Sequence, residues 1–250
     1  MPLQDWKRTS AGLFHHFHQM WTTELARTLN RGMLPDGLSA FVEQKAERNE
    51  PDLLAIDYAD LQPIDWTASG SAIGLAEPAA TIVQRSEQAD YVDRSNRVVV
   101  RHRLGTVLAF VEIVSPGNKH SRHEMNLFVK KVVEAIRRGV HVTVIDFFPP
   151  TARDPEGIHR KIWDEIEDQN FVSPPGRDRT IVSYAARPLQ TAYVEPLAVG
   201  DEIPDVPLFL TVEPARFVRL PLRATHDLTY DELPAPLRRE LETDPGDRID

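Results

Sequence analysis

A carboxylate set in an apolar run needs a charge partner, and Glu112 sits in one, between Leu108-Ala109-Phe110-Val111 and Ile113-Val114. An ionised group in such surroundings is held by a cation or a metal. The following Ser115-Pro116-Gly117-Asn118-Lys119 breaks the run and leads into Ser121-Arg122-His123-Glu124. That tetrapeptide is a helix start, with Ser121 placed to accept from the Glu124 N–H while Glu124 reaches back. A carboxylate at the end of a strand, a lysine and a helix N-terminus together suit phosphoryl chemistry. A metal there activates water, and the lysine steadies developing charge. Asp52 opens another apolar run and can supply a second carboxylate, and Glu43 a third. Hard oxygen donors of this kind suit Mg²⁺ or Mn²⁺.

The candidate catalytic residues are therefore Asp52, Glu112 and Lys119, and the candidate metal ligands are Glu43, Asp52 and Glu112. Ser115, Asn118 and Arg122 are candidate substrate contacts in the same turn. The competing reading makes Glu112 and Lys119 an ion pair that pins the strand-to-helix turn, because structural ion pairs also gather in such places. Other machinery is excluded by pattern. There is no G-x-x-x-x-G-K-[ST], no G-x-G-x-x-G after a strand and no G-x-S-x-G. His120-Ser-Arg-His123-Glu124 has the wrong order for a zinc-protease helix, and Glu124 is accounted for by capping. The chain has no cysteine, which removes thiolate nucleophiles, disulfides and Cys-type zinc sites and fits a reducing compartment.

The elements that hold these residues follow from periodicity. Met125, Phe128, Val129, Val132, Val133 and Ile136 form one helical stripe behind the cap, and Gly139 stands where a C′ glycine belongs. VHVTVIDFF, 140–148, follows as a buried strand. Strand, capped helix and strand in this length predict parallel neighbours joined by a crossover. Residues 13–31 read as a helix with Phe14, Phe17, His18, Trp21 and Leu25 inward. His15 and His16 then fall in its solvated first turn, a better account of the histidine cluster than a metal site. Strands are expected at 38–46, 52–58, 97–103 and 106–114, with a short helix at 157–169. Further strands at 180–186, 190–199, 207–213 and 217–222 extend the sheet. The stretch 61–95 reads as an irregular insertion, and 224–250 as a polar, frayed tail. The expected fold is α/β, a single domain over 1–223.

Pro51-Asp52, Glu112 within a strand and a nearby lysine resemble the restriction-endonuclease-like superfamily, known by its PD-(D/E)xK motif. The order helix, strands, carboxylate strand, helix, strand is similar to its core. More closely, FHHFH, EIVSPGNK, FFPPTARDPEGIH and AYVEPLAVGDEIPDVPLFL resemble a bacterial domain-of-unknown-function family, DUF 4058, over nearly the whole chain. The resemblance implies a restriction-endonuclease-like central mixed sheet flanked by helices, with a C-terminal β extension. It also implies an Mg²⁺- or Mn²⁺-dependent nuclease. One departure stands out. The motif lysine belongs two residues after the glutamate, where this chain has Val114. Its role passes to Lys119, which the turn can fold back toward Glu112, or to Lys130 or Lys131 on the helix. Lys130 and Lys131 flank the buried stripe and read as solvated. If the role is lost, the chain is a non-catalytic module binding protein or nucleic acid.

Charge points to an anionic partner at one place only, and on charge alone that place reads rather as solvated helix and hairpin faces. The net charge is −9, against nonspecific coating of nucleic acid. Residues 97–139 nevertheless carry nine basic against three acidic side chains, leaving the rest of the chain strongly acidic. No run is long and apolar enough to span a bilayer, and the N-terminus lacks the apolar core of a signal peptide, so a cytoplasmic protein is expected. A homodimer is compatible with the sequence and not demanded by it.

Overall fold

The computed structural model describes residues 1–42, 53–57, 78–85, 101–102, 105–210 and 216–242, with the backbone alone at 53–57, 101–102 and 105–106. Among the described residues there are ten strands: β1 Leu38–Val42, β2 Leu53–Asp57, β3 Ile82–Arg85, β4 Arg101–His102, β5 Gly105–Ile113, β6 His141–Asp146, β7 Arg179–Ala185, β8 Thr191–Leu197, β9 Val206–Phe209 and β10 Phe217–Leu220. Helices are α1 Ala11–Thr28, α2 Pro116–His120, α3 Arg122–Arg137, α4 Ile158–Asp164, α5 Leu222–Asp231 and α6 Ala235–Glu242. Eight strands make one mixed sheet in the order β1-β2-β5-β6-β7-β8-β3, with β4 hairpinned onto β5. β5 and β6 are parallel, as the capped helix between them requires, and the other pairs are antiparallel.

Alternation along the strands divides two cores. Ala109, Val111, Ile113, Ile145 and Ile181 face α1 and α5, together with Phe14, Phe17, Trp21 and Leu25. Phe110, Val114, Val142, Val144, Val182 and Tyr184 face α3 and α4. The helix α3 forms because its apolar residues recur every three or four positions and Ser121 Oγ accepts from the Glu124 N–H at 3.1 Å. The reciprocal box forms one turn earlier, where Asn118 Oδ1 accepts from the Ser115 N–H at 2.8 Å. Helix α3 ends at Gly139, whose φ of 84° is open to glycine and strained for other residues.

The stripe of α3 carries a direct expectation. Phe128, Val132 and Ile136 are at most 3 % exposed. Phe128→Ala should cost about 3–5 kcal/mol, as large-to-small core changes do. Lys130→Ala should cost about 0.5 kcal/mol or less, since that side chain is 72 % exposed. Denaturant midpoints read both, and a reversed order would mean the helix packs by its other face.

Four expectations are corrected. Within the supposed irregular insertion 61–95, residues 82–85 form β3, the edge strand paired with β8. Four residues are too short for periodicity to reveal. Among the described residues, β9 and β10 pair with each other in a separate two-stranded sheet and do not extend the main one. The supposed tail contains α5 and α6. His226, Thr225, Thr229 and Tyr230 of α5 are buried against α1, so the domain does not stop at 223. Threonine and histidine hid this face from an apolar count. They can be buried because Thr225 Oγ1 donates to the Pro221 carbonyl and accepts from Trp21 Nε1 at 3.0 Å. Finally, the short helix closes at Asp164, not 169. His15 and His16 are exposed, as expected. No helix among the described residues is long and apolar enough to cross a membrane.

Candidate functional site

Glu112 lies on the α3 face of β5, one position before its last residue, with Val144 of β6 opposite in register. It is 1 % exposed. Its partner is Lys131, whose Nζ stands 2.8 Å from Oε2. The expectation that Lys131 is solvated is corrected: its side chain is 13 % exposed, and Nζ also lies 5.4 Å over the Phe128 ring. The stem of a lysine flanking an apolar stripe can lie along that stripe and carry its charge inward. Lys130, one residue earlier, points outward and meets Glu134 at 3.7 Å.

Lys119 does not fold back onto Glu112. Its Nζ lies 2.7 Å from Asp146 Oδ2 and 3.0 Å from Asp154 Oδ2, and donates to the carbonyls of Phe148 and Pro149, each at 3.2 Å. All three charged side chains are buried. The helix α2 aims Lys119 across the end of β6, toward the 147–157 loop and away from β5. Asp154 further accepts from the Thr151 N–H at 2.8 Å, and Arg153 donates to the Lys119 carbonyl at 3.2 Å. The runs EIVSPGNK and FFPPTARDPEGIH are thus tied into one clasp. Burial pushes the Asp146 carboxyl above its ordinary range, and Lys119 pulls against that shift.

Of the expected substrate contacts, Ser115 and Asn118 are engaged with each other, the hydroxyl lying 2.9 Å from Asn118 Oδ1. Arg122 is exposed at the start of α3. Glu43 and Asp52 lie outside the described residues. Among the described residues, Val42 pairs with Leu53, and Leu53 with Val111, across β1, β2 and β5. Among the described residues, no group of three His, Cys, Asp or Glu side chains is placed to hold a metal ion.

Two buried polar groups escaped sequence reasoning. Asp146 closes VHVTVID in the same way that Glu112 closes its run, and that signal was legible. His159 was not, because nothing local marks it. Its Nε2–H donates to Gln84 Oε1 at 2.8 Å, and Nδ1 accepts from Tyr184 OH at 2.7 Å. Burial lowers the His159 pKa to about 3 and raises that of Tyr184, so this chain of hydrogen bonds joins neutral groups.

Comparisons of the chain with family models, curated proteins and solved structures found no significant match.

Proposed function

We propose that the chain is a metal-dependent phosphodiesterase acting on nucleic acid, with the restriction-endonuclease-like fold. The carrying observation is the buried carboxylate of Glu112 near the carboxyl end of β5, with Lys131 Nζ at 2.8 Å. The strand order supports the fold reading. An N-terminal helix is followed by antiparallel β1, β2 and β5, then by α3 and the parallel β6. Lys131 then takes the role of the motif lysine that Val114 vacates, and Lys119 serves the scaffold.

Glu112 fits a hard divalent cation as a carboxylate donor, and Glu43 and Asp52 would complete the set for Mg²⁺ or Mn²⁺. The ion would supply Lewis-acid activation of water and phosphate. Lys131 holds a positive charge beside Glu112 within a largely dry face, where it can stabilise charge developing on a phosphate oxygen. Arg122, exposed at the α3 N-terminus, offers a polyanion a positive contact.

Calorimetric titration with Mn²⁺ is the test. Wild type should bind, and its thermal midpoint should rise by mass action. Glu112→Gln should lose both effects along with any nuclease activity. Lys131→Met should abolish turnover while retaining Mn²⁺. A second reading is favoured by the ion pair itself, since Glu112 already has a cation: a non-catalytic module binding protein or nucleic acid. It expects no heat with Mn²⁺ from either protein.

A further inference from the structure

The two charged groups that meet on the α3 face of β5 are mounted differently. Glu112 is buried on a strand that pairs on one side with β2 and on the other with β6, so its carboxylate is held in place. Lys131 reaches it on a flexible four-carbon stem from the edge of the α3 stripe. That side chain is 13 % exposed, so its ammonium lies close to water.

The ammonium has two kinds of support within reach. Glu112 Oε2 lies at 2.8 Å, and the centroid of the Phe128 ring, on the same helix, lies at 5.4 Å. An ammonium within about 6 Å of a ring centroid is attracted to the ring face. The first support neutralises the lysine charge. The second leaves that charge available to an added anion.

This geometry sets up a competition at Glu112. The carboxylate that would receive a hard divalent cation is already paired with Lys131. Two cations beside one buried carboxylate repel each other where water screens little. Removing the ammonium instead leaves a buried charge with a strong demand for another cation.

We propose that Lys131 is a two-position gate: it holds Glu112 closed in the ion pair, and opens it when a phosphodiester anion draws the ammonium off along the Phe128 ring. The gate rests on the phosphodiesterase reading and adds regulation to it, since nucleic-acid phosphate and metal then bind cooperatively. The linkage is reciprocal, because either ligand frees Lys131 from Glu112 and so favours the other.

Calorimetric titration of the full chain with Mn²⁺ tests the gate, with dimethyl phosphate as a diester that carries no base. In wild type, dimethyl phosphate should tighten Mn²⁺ by about tenfold, inside the roughly 5–150-fold range of coupled sites. In Lys131→Met, Mn²⁺ alone should bind about tenfold more tightly than in wild type, and the diester should add nothing. Mn²⁺ bound by Lys131→Met, but by wild type only with the diester present, is the same result in a stronger form. Equal or weaker Mn²⁺ binding by folded Lys131→Met, with wild type binding, would overturn the gate and leave the phosphodiesterase reading standing. If the variant does not fold, wild type decides alone, and an Mn²⁺ affinity indifferent to dimethyl phosphate overturns the gate. No heat from either protein, with or without the diester, would overturn both.

Discussion

Lys119→Met is expected to destabilise the protein by about 3–5 kcal/mol, the usual cost of removing one partner from a buried ion pair. The loss is large because two carboxylates are stranded by it. Asp146 and Asp154 are 2 % and 0 % exposed, so water cannot replace the ammonium. Asp154 Oδ2 accepts no hydrogen bond, so its stabilisation comes from the Lys119 charge at 3.0 Å. Combining Lys119→Met with Asp146→Asn and Asp154→Asn should recover much of the loss, since the stranded charges go with the cation. Urea unfolding of the single and triple variants measures both. A loss below about 1 kcal/mol for Lys119→Met would place the clasp in contact with solvent, where ion pairs are worth that little.

Acid should destabilise the protein from about pH 6.5 downward, starting above the range of an ordinary carboxylate. His159 and His226 are held neutral by burial, with pKa values lowered from 6.5 to about 3 and about 4. The unfolded chain binds protons at both below pH 6.5, and the folded chain does not. The stability they contribute is therefore complete above pH 6.5 and falls as the pH drops toward 4. At pH 4.5 the two histidines together should cost about 5 kcal/mol, at 1.36 kcal/mol per pKa unit. That is comparable to the whole stability of many domains. Asp146 acts in the opposite sense. Its raised folded pKa relieves some destabilisation as it protonates, which softens the curve without reversing it. His159→Gln should remove roughly half of the pH dependence between 7 and 4.5. An unchanged denaturant midpoint across that range would show that both imidazoles reach water in the folded state.

His226 also shows why its element escaped the sequence. It packs edge-on against Phe17, Trp21 and Phe147 and is stacked with Tyr230, and its Nε2 has no hydrogen-bond partner. A helix whose buried face is Thr225, His226, Thr229 and Tyr230 looks polar until α1 and the end of β6 are brought beside it. The helix α3, by contrast, carries its whole specification locally. A cap, a stripe of aliphatic residues and a terminal glycine agree with one another, and the strands on either side are apolar enough to be buried on both faces.

The candidate site divides along the same line. That Glu112 would be a buried carboxylate in need of a cation followed from its neighbours in the chain, because desolvation of a charge is a local matter. Which cation answers it did not follow. Lys119, Lys130 and Lys131 are all within reach of that strand in the chain, and the difference lies in the direction each stem leaves its helix. α3 turns Lys131 onto the sheet and Lys130 to solvent. α2 turns Lys119 to Asp146 and Asp154, the second of them 35 residues further along. The sequence by itself determined the parallel β5–α3–β6 unit, the burial of Glu112 and the chemistry that charge calls for. Only the tertiary structure decided the pairing of charges, because an ion pair depends on a few ångströms between segments that no local pattern connects.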